Sequence, residues 1–133
     1  MKKTATVLRA VVGIAGAIQI ALGIAFWTGN ADPLVPVHIL IGLILVFALW
    51  ALAAIALGAG IARGLATLTA IWGFLTPALG LAQTRLLPGG SHWVIQVIHL
   101  LVGLTAIGLG QTLAKRIQDA AGSTDRHELG SMV

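Results

Sequence analysis

Four apolar stretches, each about as long as a membrane-crossing helix, take up most of this chain and constrain its fold more than any motif does. They run over 7–27, 36–57, 65–84 and 93–113. A hydrocarbon layer of about 30 Å is crossed by roughly 20 apolar residues as a helix, because only a helix satisfies its own backbone where no water is available. Of the 133 residues 58% are hydrophobic and 9% charged, with no Cys. Too little polar sequence remains to clothe a soluble core. The expected class is therefore all-α: an integral membrane four-helix bundle over 1–114, followed by a polar tail over 115–133 that carries no assigned function.

The connections between the runs are short, so neighbouring helices pack antiparallel, up and down. The start of the tail is expected to extend the fourth helix, and its Gly122-Ser123-Thr124-Asp125 run to be disordered. Lys and Arg accumulate on the cytoplasmic side of short loops. Seven of the eight, Lys2, Lys3, Arg9, Arg63, Lys115, Arg116 and Arg126, fall on one side, and Arg85 on the other. Both termini are thus expected in the cytoplasm, with Trp27 and Trp93 anchoring the outer interface. A compact chain with a short basic start fits a prokaryotic plasma membrane. The net charge of +4 reflects topology and anionic lipid contact, not nucleic-acid binding. The first run reads as a retained span: it has no clear small-x-small cleavage site, and the third run resembles it.

That likeness belongs to an internal repeat. Gly16-Ala17-Ile18-Gln19-Ile20-Ala21-Leu22-Gly23 and Gly73-Phe74-Leu75-Thr76-Pro77-Ala78-Leu79-Gly80 share the pattern Gly-x-x-x-x-Ala-Leu-Gly. The second and fourth runs match through Val37-His38-Ile39-Leu40-Ile41-Gly42-Leu43 and Ile98-His99-Leu100-Leu101-Val102-Gly103-Leu104. Two motifs in the same order imply two repeated helical hairpins related by a pseudo-twofold axis along the membrane normal.

An imidazole in hydrocarbon is costly unless something binds it. Asp32, followed by Pro33, and Ser91 are the expected N-caps of helices two and four. His38 and His99 then lie at depths that differ by about 3 Å. The two helices run in the same direction and occupy diagonal corners, so the imidazoles can face each other across the axis. This suits two axial ligands on a haem iron. A flat ring beside them needs space, which glycine provides: Gly42 and Gly103 follow the histidines by four residues, and Gly16 with Gly23, like Gly73 with Gly80, are spaced by seven. Gln19 and Gln96 are candidates to orient an imidazole. The competing reading of the histidines is interhelical hydrogen bonding, and close helix packing alone accounts for about half of such glycines. His92 reads as a headgroup-level residue, and His127 as solvated. Pro77 is expected to kink helix three, with Thr76 satisfying the freed backbone group.

His38, His99, Gly23 and Gly80 resemble the pattern of the four-helix b-type membrane cytochromes, as in the cytochrome b subunit of the bc complexes. There the histidines stand on the second and fourth helices and the glycines on the first and third. That subunit holds two haems with two histidines per helix; one per helix here implies a single bis-histidine haem b. The function implied is electron transfer with a quinol or a redox partner at the outer face, by a carrier more than a stand-alone enzyme, alone, as a homo-oligomer or in a larger complex. The histidine segments are similar also to one half of haem A synthase, whose active half has a carboxylate near its haem; no Asp or Glu lies inside a span here. A pigment-binding or cofactor-free accessory subunit is the remaining alternative.

Overall fold

The structure, a computed structural model, describes residues 1–29 and 31–130, with side chains as far as Ser123. Four helices account for nearly all of it: α1 (Lys2–Trp27), α2 (Val35–Gly58), α3 (Arg63–Ala82) and α4 (His92–Gly130). All four are long and apolar enough to cross a membrane. Each packs antiparallel against its chain neighbour, and α4 closes the ring against α1. The diagonals are unequal: α2 touches α4 across the axis, whereas α1 and α3 are held apart.

Glycine ends two of the helices in the way the sequence requires. Gly60 takes φ +69, which lets its N–H reach the Leu57 carbonyl and the Ile61 N–H reach that of Ala56 at 2.8 Å. Those are the two bonds of a Schellman cap, and Ile61 folds back onto the core as such a cap favours. Gly29, φ +75, ends α1 with its N–H on the Phe26 carbonyl.

The repeat reappears as a shared entry device. Each hairpin enters its second helix through a 3-10 turn, Asp32–Leu34 before α2 and Gly89–Ser91 before α4. Here the capping expectation is corrected. Asp32 and Pro33 lie inside the first of these turns, closed by Leu34 N–H on the Ala31 carbonyl, and Leu34 is the residue that precedes α2 without a side-chain cap. Ser91 ends the second turn, likewise without a capping hydrogen bond. A 3-10 turn already bonds the donors that a capping side chain would otherwise satisfy.

Two further differences concern α3 and α4. α3 continues through Pro77, which has no N–H for the Gly73 carbonyl; the Thr76 hydroxyl does not take that bond, as expected of it, but donates to the Trp72 carbonyl at 2.8 Å. The run from Gly122 to Asp125 is helical, not disordered. Once α4 is held along α1, each added residue gains a bond without a new nucleus, and propagation is cheap. The expectations for Arg126 and His127 lie outside the described side chains.

The connected core lies in one half of the bundle, with Ala31 and Ile95 buried apart from it toward the other end. Val12, Leu49, Leu52, Leu113 and Ile117 are fully buried, and every residue of the core cluster lies toward the end that bears the termini. Glycines allow the close approach: a Cβ on Gly16 would come within 2.6 Å of Ile107, and one on Gly110 within 2.5 Å of Leu49. Large apolar side chains such as Ile14, Phe47, Phe74, Leu81 and Leu101 point outward. Polar groups join the pair α1/α4 at the same end: Arg9 donates to Gln111 and Gln118, and their amides donate back to the Arg9 carbonyl and Thr6.

Candidate functional site

Beyond the last core layer, formed by Ala15, Leu45 and Ala106, the packing opens. His38 and His99 each lie seven residues past the core on their own helix, about 10 Å from Leu45 and Ala106 respectively. His38 is the fourth residue of α2 and His99 the eighth of α4, so α4 starts about one turn farther out. The short diagonal then brings the two rings together, with centroids 6.3 Å apart and planes inclined at 58°.

Among the described residues neither imidazole finds a hydrogen-bond partner. The Nδ1 atoms of both histidines are buried and have no hydrogen-bond partner, and the Oε1 of Gln19 is in the same condition. Buried polar atoms are normally paired, since an unmade hydrogen bond costs about 1–3 kcal/mol. Three such atoms at one level of one small bundle mark the site more sharply than any motif.

The glycines expected around a cofactor divide into three groups. Gly80 on α3 lies against His99; its Cβ position is 3.1 Å from Cε1 of that ring. Gly23 and Gly103 face open space, with nothing within 4 Å of a Cβ. The remaining three are filled by neighbours: Gly16 by Ile107, Gly73 by Trp50 and Gly42 by the amide of Gln19. Gln19 donates from Nε2 to the backbone carbonyl of His38 at 3.0 Å. Gln96 makes no bond to His99. It lines a groove of about 390 Å³ between α1 and α4, together with Phe26, Trp27, Trp93 and Val97.

Phe26 connects groove and histidines, for it meets His38 edge to face, with centroids 5.3 Å apart and planes at 77°. Sequence reasoning passed over this residue. The available signal was its spacing of seven from Gln19, which places both on one stripe of α1. The repeat is broken here. In its register Gly23 corresponds to Gly80, Phe26 to Gln83 and Gln19 to Thr76. His99 rests on a glycine of α3, whereas His38 is gripped from α1 by Phe26 and Gln19, whose counterparts do neither. His92, at the start of α4, points Nδ1 at the Leu86 carbonyl at 3.3 Å, as a structural residue of the loop.

Two facing imidazoles with unused nitrogens form a donor pair for a metal that accepts nitrogen ligands. Two metal–nitrogen bonds of about 2 Å, plus the distance of about 1 Å from each nitrogen to its ring centre, sum to roughly 6 Å. The observed separation matches that sum. Among the described residues no group of three or more His, Cys, Asp or Glu gathers in one place, so further equatorial ligands would have to come with the metal, as a porphyrin supplies them. No protein family, curated protein or solved structure matches the chain.

Proposed function

We propose that this protein is a b-type cytochrome that crosses the membrane four times and holds one haem between His38 and His99. The observation that carries the reading is the pair of imidazoles 6.3 Å apart whose buried nitrogens have no partner. The surrounding packing is compatible with it: the core cluster ends below the histidines, nothing lies within 4 Å of a Cβ on Gly23 or Gly103, and Gly80 lies against the His99 ring.

When bound, haem supplies a reversible one-electron change at iron whose potential follows from its axial ligands and their surroundings. The chain contributes the rest. Its two imidazoles set the ligand field, and the apolar helices keep water from the site. The closed core at the other end leaves no room for a second ring, so electrons enter and leave at the histidine end. There the groove of Phe26, Trp27, Trp93, Gln96 and Val97 opens beside His38. Its aromatic walls and single amide suit a quinol as the exchanging partner, or the edge of a redox protein. In this reading the chain works as a carrier, the termini lie in the cytoplasm of a prokaryotic cell and the histidine end faces outward.

The test is the visible spectrum of the purified chain, oxidised and then reduced with dithionite, beside His38→Ala and His99→Ala. A sharp low-spin b-type spectrum that becomes high-spin or vanishes in each variant is the expected result. A colourless wild type after haem is supplied in the membrane overturns the reading and leaves an accessory packing subunit. A chlorophyll-like spectrum makes each histidine a lone magnesium ligand.

A further inference from the structure

We infer that Gln19 is the positioning residue of His38, and that Gly42 is a glycine so that Gln19 can reach it. The amide of Gln19 crosses from α1 to α2 and donates from Nε2 to the His38 carbonyl at 3.0 Å. Its path runs over Gly42, where a Cβ would stand 2.6 Å from the same Nε2. Such an approach is one that real Cβ atoms essentially never make, so with a larger residue at 42 the end of the Gln19 side chain must shift from its place against His38. Exchanging the two amide atoms would set oxygen against a carbonyl oxygen, so the orientation of Gln19 is chemically determined.

That orientation leaves Oε1 as a buried acceptor with no donor, beside a histidine whose buried Nδ1 has no partner either. The two deficits are complementary. The structure does not join them; in our inference the His38 ring turns so that Nδ1–H meets Oε1, which would hold the proton on Nδ1 and leave Nε2 free to coordinate. A ligating histidine is normally fixed in this way through its second nitrogen, and the bond makes it a more basic ligand. His99 has no equivalent strap: Thr76, at the position of Gln19 in the repeat, spends its hydroxyl on the Trp72 carbonyl of its own helix. The duplicated chain has thus made its two histidines inequivalent, one oriented by Gln19 and one resting on Gly80. Gln96, the other candidate, sits in the groove and takes no part.

The purpose of the strap rests on the haem reading; its geometry does not. The experiment uses the full-length protein labelled with ¹⁵N-histidine, as purified and reduced with dithionite, and compares wild type with Gln19→Leu and Gly42→Ala. The readout is the exchange of the His38 Nδ1–H with solvent. In both variants it accelerates by roughly five- to tenfold, the equivalent of one hydrogen bond of about 1 kcal/mol, while His99 is unchanged. Gly108→Ala, which adds a methyl at an exposed position of α4 where nothing lies within 4 Å, leaves both histidines as they were. If haem is present, the midpoint potential rises in Gln19→Leu and Gly42→Ala, because a less basic imidazole favours the ferric state less. Unchanged His38 exchange in both variants overturns the inference even if the protein is a cytochrome. A colourless protein with His38 exchange accelerated in both overturns the haem reading and leaves the strap standing.

Discussion

At the scale of single residues, the six glycines that look alike in the repeat do different things. Gly16 and Gly73 admit a neighbouring side chain, Gly42 admits an amide, Gly80 supports an imidazole, and Gly23 and Gly103 border open space. Substitutions should sort them. Gly80→Leu drives a side chain into the ring of His99, which starts 3.1 Å from the Cβ position, and is expected to abolish the low-spin spectrum while the protein stays folded. Gly108→Ala, outside this set and with nothing within 4 Å of its Cβ position, is expected to leave the spectrum unchanged. The measurement is the reduced-minus-oxidised difference spectrum per mole of protein, with monodispersity in detergent as the control for folding. The same periodicity that marks these positions also marks packing glycines, so sequence alone could not separate them. What separates them is which side chain each one meets.

At the scale of elements, α1 and α4 are joined differently from the other pairs. Arg9, Gln111, Gln118 and Thr6 form a closed set of hydrogen bonds between them, and Arg9 lies within a helix long and apolar enough to cross a membrane. In hydrocarbon, apolar contact does not by itself drive helices together, so packing and interhelical hydrogen bonds carry the association. Gln111→Leu removes the donor to the Arg9 carbonyl and one of the two acceptors of the Arg9 side chain. It is expected to destabilise the bundle by about 0.6–2 kcal/mol, measured as the shift in the SDS unfolding midpoint. Gln96→Leu, in the groove and without a bond to His99, is expected to leave that midpoint within error. The helices themselves were legible from hydropathy, and the residues at their ends less so. Asp32 and Ser91 have the chemistry of caps, yet each belongs to a 3-10 turn that satisfies the first donors from the backbone.

At the scale of the molecule, the bundle is closed at one end and open at the other. The core cluster lies toward one end and the paired histidines toward the other. If all four helices cross the membrane, both ends of the chain lie on one side. The natural chain has no cysteine, so single substitutions report on topology without background. Thr4→Cys and Ser123→Cys are expected to react with an impermeant maleimide only after cells are opened, and Ser91→Cys in intact cells. The opposite pattern would reverse the orientation, and reaction of all three in intact cells would refute four spans.

Hydrophobic length and the repeat determined by themselves that the chain forms four helices, where α2, α3 and α4 begin to within a turn, and that two of them carry one histidine each; α1 starts five residues before its apolar run. These are local matters, set by how many consecutive residues are apolar and by which residue tolerates φ near +70 at Gly29 and Gly60. Tertiary structure alone decided that α2 and α4 meet on the short diagonal, that the rings stand 6.3 Å apart, and that Gln19 and Phe26 hold one histidine and not the other. The physical reason is that each of these depends on how far two helices approach and rotate. That is settled by every side chain between them at once, and no single periodicity in the sequence records it.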